Sequence, residues 1–202
     1  MMQTTLSQIL SRIYGKKRGW VFTPVHFRDL GDDQTVRKAL QLLCDRDQIR
    51  RLAPGLYDYP RHHPKLGDLT PTPDQIAQAL AYKDSSRIQP SGAYAANLLG
   101  LSEQVPARAV FLTDATDRTV TVGRQEIALK RTTPKNMATA GRVSGLVIQA
   151  LRYLGRDNVD QAVIDQLARR LSADDRRQLI RDIRFAPAWI GAIFRRLAPE
   201  GD

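Results

Sequence analysis

Gln34, Lys38 and Gln41 recur on one side of a helical projection with Thr35 and Arg37 flanking them, while Val36, Leu40 and Leu43 fall on the opposite side. Glutamine amides can pair with the N6 and N7 edge of adenine, and Arg or Lys with guanine or a phosphate. A helix that starts with such a face has the chemistry to read a major groove. A second cluster follows it. Arg50 and Arg51 enter the alternating stretch IRRLAPGLYDYP, and Arg61, His62, His63 and Lys65 follow, so cations stand on both sides of a Pro54-Gly55 turn. Lys16, Lys17 and Arg18 form another basic run ahead of the helix. Cations so placed suit phosphate contacts, which orient a protein on a duplex without reading its sequence. The rival account is a solvated surface, as any small helical unit with a hairpin carries.

The elements that must position these residues are legible in the periodicity. Leu6, Ile9, Leu10, Ile13 and Tyr14 predict a first helix after Thr4 and Thr5, ended by Gly15 and the basic run. Trp20-Val21-Phe22 is extended. Thr23-Pro24 then predicts a short second helix closing at Gly31, and Asp32 or Asp33 caps a third carrying the polar face. Two strands around Pro54-Gly55 complete the order of a winged helix-turn-helix. Residues 60 to 73, with four prolines, read as a linker.

Beyond it the pattern predicts a helix from Pro73, an extended Arg87–Pro90, a helix from Ser91 closed by Gly100, and strands over 108–113, 118–122 and 126–131. From Gly141 onward the apolar spacing is helical. The expected fold class is α+β: a winged helix-turn-helix DNA-binding domain (1–65), a small mixed α/β domain (66–140) and a C-terminal helical region (141–202) that packs on or extends it.

Composition narrows the partners. The 202 residues hold 31 Lys and Arg against 21 Asp and Glu, a formal charge of +10, which favours a polyanion. The excess lies mainly in residues 1–65, with 12 basic and 6 acidic side chains, against 8 and 7 in 66–140 and 11 and 8 in 141–202. Arg169-Arg170, Arg176-Arg177 and Arg195-Arg196 read as solvated faces, with a second anionic contact as the alternative. One cysteine, Cys44, excludes an internal disulfide and fits a reducing compartment. The N-terminus lacks a secretion-signal pattern and no run of about 20 apolar residues occurs. A cytoplasmic protein with no membrane contact is expected.

Catalytic and metal chemistry find little footing. His26, His62, His63 and Cys44 lack ligand spacing for zinc. Ser91-Gly92 sits at a strand-to-helix junction without G-x-S-x-G and reads as a helix cap. Asp114 and Asp117 read as turn formers, and Tyr94 as a packing residue. No enzyme activity, cofactor or metal is expected.

Three stretches carry a family resemblance. Gly19-Trp20-Val21-Phe22-Thr23, then Val36-Arg37-Lys38-Ala39-Leu40 through IRRLAPGLYDYP, and IQPSGAYAANLLGLSEQVPARAVFLTD resemble the AbiEi family, the antitoxins of bacterial abortive-infection type IV toxin-antitoxin systems. The resemblance spans roughly residues 4–135 and leaves 142–202 outside. It implies an N-terminal domain that binds the protein's own operator and represses transcription, and a following domain that counters a nucleotidyltransferase-like toxin in phage defence without needing a stable complex with it. The alternative from another class is an interaction protein that binds no DNA, whose helical C-terminus engages a partner or forms a homodimer.

Overall fold

The computed structural model describes residues 2–199. Met1 and the last three residues of the expected 141–202 segment lie outside it. The architecture is α+β and divides into two compact units, Met1–Ser86 with Val120–Gln125, and Arg87–Thr119 with Glu126–Asp202. The division falls between Ser86 and Arg87, not after residue 65.

The first unit begins with α1 (Met2–Lys16), β1 (Val21–Phe22) and a 3₁₀ turn over Pro24–Phe27, followed by α2 (Asp33–Asp45) and the hairpin β2 (Arg50–Ala53) and β3 (Leu56–Asp58). The three strands form an antiparallel sheet in the order β1-β3-β2. Ile9 and Ile13 of α1, Phe22, Phe27, and Val36, Leu40 and Leu43 of α2 make its core. Burial of each large side chain contributes about 1.5–3 kcal/mol before entropy is counted. Phe22 and Phe27 meet edge to face at 5.5 Å, an arrangement aromatic quadrupoles favour.

Two local expectations change here. α1 continues through Gly15 to Lys16, and Lys17 takes the left-handed cap position (φ 68°) usual for glycine, its N–H donating to the Tyr14 carbonyl at 3.1 Å. The expected second helix is a single 3₁₀ turn. Arg28 and Asp29 face solvent, and the cap of α2 follows at once, so a second turn would have little to bury. That cap is Asp32, whose carboxylate accepts the Thr35 N–H at 2.9 Å and so lies below its ordinary pKa. In the hairpin, Ala53 pairs with Leu56 across Pro54 and Gly55 (φ +72°), the pattern of a type II turn, where the left-handed residue favours glycine.

The expected linker is structured. β4 (His62–His63) and β5 (Gly67–Asp68) form a small antiparallel hairpin, and α3 (Pro73–Lys83) packs against β1 and the 3₁₀ turn. Pro60 and Pro71 are buried. Proline here ends elements without loosening the chain. Thr72 and Gln75 cap α3 reciprocally, and Ile76, Ala77 and Leu80 bury its inner face.

The second unit contains β6 (Ile88–Ser91), α4 (Gly92–Leu98), β7 (Arg108–Thr113), β9 (Gln125–Arg131), α5 (Pro134–Met137), α6 (Val143–Leu154), α7 (Gln161–Arg170), α8 (Ala173–Arg181) and α9 (Ala188–Arg196), with β8 (Arg118–Val122) between β7 and β9 in sequence. The sheet order is β6-β7-β9-β8, so β7 pairs antiparallel with β6 but parallel with β9. Ala95, Ala96, Val147, Leu151, Leu167, Leu179, Ile190 and Phe194 join α4 to the later helices in one apolar cluster. The C-terminal helices therefore complete this unit's core.

Candidate nucleic-acid interface

The polar face of α2 is built as its spacing requires, but its side chains are not equally available. Gln34 and Lys38 are exposed, with no side-chain partner among the described residues. Arg37 reaches back to Asp33 at 2.7 Å, and Gln41 donates to Asp45 at 2.8 Å. Such exposed i, i+4 pairs are worth only about 0.2–0.5 kcal/mol, so either can be exchanged for a stronger partner. The Thr35 hydroxyl donates to Asp32 at 2.8 Å and belongs to the helix cap.

Beside the start of α2 lies a groove of about 280 Å³. The 3₁₀ turn contributes Pro24 and Val25, the hairpin tip Pro54 and Gly55, and the charged lining is Arg28, Arg37, Arg51, Lys83 and the single carboxylate Asp33. Four cations against one anion in a concave surface focus positive potential there. Arg37 and Arg51 were expected to serve phosphate or base contacts, and the fold brings them together. Arg28 and Lys83 were not singled out. Arg28 stands in a stretch read as an ordinary helix, and Lys83 lies beyond the expected linker, so neither gave a local signal.

Arg50, expected among the wing's phosphate contacts, is otherwise engaged. The hairpin register sets it opposite Asp58, and its guanidinium donates to that carboxylate from Nε at 3.1 Å and Nη2 at 2.7 Å, and to the Leu69 carbonyl at 2.9 Å. Asp58 is only 1% exposed. Burial pushes its carboxyl above the ordinary range, and Arg50 opposes that rise. The pair ties the base of the hairpin to the segment that follows.

The N-terminal basic run and Arg61 likewise do not line the groove. Arg18 lies over the Tyr59 ring at 4.7 Å and donates to the Pro60 carbonyl at 3.0 Å. Lys16 and Arg18 line a separate crevice with Trp20 and His26, Lys17 is exposed, and Arg61 lines a recess with Gly19, Asp58 and Gln75. Sequence proximity to the hairpin does not place a cation on its groove side.

The remaining chemical candidates have local partners. His26 Nδ1 accepts the Thr23 N–H at 3.1 Å, and burial holds its pKa below the ordinary histidine value. His62 meets Asp68 at 3.1 Å. Asp114 accepts from Arg87 through both backbone and guanidinium, and Asp117 accepts the Arg131 N–H at 2.7 Å. Burial raises the Cys44 thiol pKa, which disfavours the thiolate. Among the described residues no three His, Cys, Asp or Glu side chains gather to hold a metal, and no helix is long and apolar enough to cross a membrane.

Residues 8–179 match the family described as "Family of unknown function (DUF6088)". No curated protein matches the chain. Among solved structures, the chain is similar to the crystal structure of the RV2827C protein from Mycobacterium tuberculosis, with 14% identity and a TM-score of 0.44 over 96% of this chain and 76% of that one.

Proposed function

We propose that this chain, which belongs to the DUF6088 family, is a cytoplasmic, operator-binding autorepressor and the antitoxin of a type IV abortive-infection system. The observation that carries the DNA-binding reading is the groove where Arg28, Arg37, Arg51 and Lys83 converge beside the free Gln34 and Lys38 of α2. In this reading the first unit is a winged helix-turn-helix in which the 3₁₀ turn replaces the usual second helix. α2 enters the major groove by its N-terminal half, Gln34 and Lys38 meet base edges, and the groove cations grip the flanking backbone.

Gel shifts with duplex from upstream of the gene, against unrelated duplex and over a range of salt, test this reading. Four phosphate contacts predict a slope of log affinity on log salt of about −3 to −4, with preference for the upstream duplex. Equal, weak binding to both would leave only a basic surface.

The antitoxin role is supported by the resemblance of IQPSGAYAANLLGLSEQVPARAVFLTD to AbiEi proteins. In this chain that stretch runs through β6, α4 and β7 of the second unit, away in sequence from α2. Its functional partner is a nucleotidyltransferase-like toxin, and no stable complex is required. A triple variant, Arg37→Ala, Lys38→Ala and Arg51→Ala, is expected to lose operator binding yet still rescue cells that express the toxin from an unrelated promoter. Loss of rescue at equal protein level would reduce the role to regulation.

A further inference from the structure

A second cavity in the first unit, of about 400 Å³, has its own chemistry. Its size lies within the range of small-molecule sites. Lys16, the last residue of α1, and Arg18, in the tight turn after it where Lys17 (φ 68°) and Gly19 (φ 94°) adopt left-handed backbone, both line it. Arg18 keeps one Nη on the Pro60 carbonyl and its plane over Tyr59, so it offers the cavity only its remaining N–H donors. Gly19 is held on both sides, its N–H donating to the Tyr59 carbonyl at 2.6 Å and its carbonyl accepting from Gln75 Nε2 at 2.9 Å. The turn is thus fixed in the conformation that brings two cations to one cavity.

The rest of the lining includes aromatic and amide side chains. Tyr82 stacks on His26 with ring centroids 4.0 Å apart and is still 57% exposed, so part of its ring surface stays open. Trp20 stands edge-on to His26 at 5.4 Å. Gln78 is exposed and its amide has no partner among the described residues, unlike that of Gln75, which caps α3. Two cations lining one cavity suit a phosphate dianion, an exposed ring accepts a planar heterocycle by stacking, and a free carboxamide offers a donor and an acceptor to its edge.

We infer that this crevice binds a nucleoside monophosphate, with Lys16 and Arg18 on the phosphate, Tyr82 stacked on the base and Gln78 at the base edge. The site is distinct from the groove: Lys83 and Val25 line the groove, whereas their chain neighbours Tyr82 and His26 line the crevice. Binding here does not depend on the DNA-binding reading, because it is measured with no DNA present.

The test uses the full chain carrying Trp189→Phe, which leaves Trp20 as the only tryptophan. AMP, GMP, CMP and UMP are titrated, with Trp20 fluorescence and calorimetry read in parallel. Saturable binding of at least one nucleotide is expected, with its nucleoside and inorganic phosphate each at least tenfold weaker. Gln78→Ala and Tyr82→Ala, both exposed positions, are each expected to weaken it tenfold or more while circular dichroism stays unchanged. No saturable signal from any nucleotide up to millimolar concentration overturns the inference. So does inorganic phosphate binding as tightly as the nucleotide, or wild-type affinity in both variants.

Discussion

Arg50 and Asp58 meet across the β2–β3 hairpin with Nη2 2.7 Å from Oδ2, the carboxylate buried and the guanidinium one-third exposed. Removing the arginine leaves a buried carboxylate without its counter-ion. A fully buried pair broken in this way costs about 3–5 kcal/mol, and the partial exposure of Arg50 lowers the expectation to roughly 2–3 kcal/mol. Arg50→Ala should therefore lower the urea midpoint of the first unit, whereas Arg51→Ala should leave it within about 0.5 kcal/mol and weaken DNA binding. Equal stability of the two variants would contradict the anchoring role of Arg50.

Base-facing and phosphate-facing residues should separate in binding measurements. Gln34→Ala and Lys38→Ala should each cost about 1–3 kcal/mol on the upstream duplex and less on unrelated DNA, if their contacts are to base edges. Arg28→Ala and Lys83→Ala should weaken both duplexes alike and reduce the salt slope by about 1 each. A change of sequence preference in the Lys83 variant, with none in the Lys38 variant, would reverse these roles.

The packing of α3 on β1 and the 3₁₀ turn makes residues 1–65 an incomplete unit. A fragment ending at Lys65 would lose α3, which packs on β1 and the 3₁₀ turn and carries the buried Ile76, Ala77 and Leu80. It should show weak or absent cooperative unfolding, and a fragment ending at Ser86 should be distinctly more stable. Equal midpoints for the two fragments would show α3 to be dispensable.

In the second unit, Asp182 is buried, and burial pushes its carboxyl up. Hydrogen bonds from Ser144 (2.5 Å), Gln178 (2.8 Å) and Arg142 (2.6 Å) outweigh this and hold it below the ordinary value of 3.8. A folded-state pKa below the unfolded one contributes stability that is fully present above the unfolded value and is lost as pH falls through the folded one. In a Trp20→Phe background, where Trp189 is the remaining tryptophan, acid unfolding followed by its fluorescence should therefore steepen below about pH 4. Asp182→Asn should be less stable at neutral pH and show a shallower acid limb. An unchanged limb would exclude Asp182 as a contributor.

Gly145 lies inside α6, where alanine ordinarily gains about 1 kcal/mol. A Cβ here would collide with the Thr139 carbonyl oxygen and the Gln89 side chain, and a backbone atom cannot simply rotate away. Gly145→Ala should destabilise by about 1–3 kcal/mol, read as a fall in melting temperature. A rise would mean that the turn around Thr139 relaxes freely.

Local signals determined a good part of this protein. A cap at Asp32 or Asp33, the stripe Val36/Leu40/Leu43 and the Pro54-Gly55 turn predicted α2 and its hairpin, because caps, periodicity and left-handed turns depend on a few neighbouring residues. Strands over 108–113 and 118–122 and the four long helices after Gly141 followed for the same reason. Pairing was decided elsewhere. That β9 lies between β7 and β8, that α4 shares a core with α6 through α9, and that α3 closes the first unit are choices among distant partners of similar hydrophobicity. The charges divide in the same way. Which face of α2 is polar is a matter of 100° per residue, so Gln34 and Lys38 were legible. Whether an arginine is free depends on what the fold sets opposite it: strand register gives Arg50 to Asp58 and leaves Arg51 to the groove, while Arg28 and Lys83 join that groove only because a 3₁₀ turn and the end of α3 meet there.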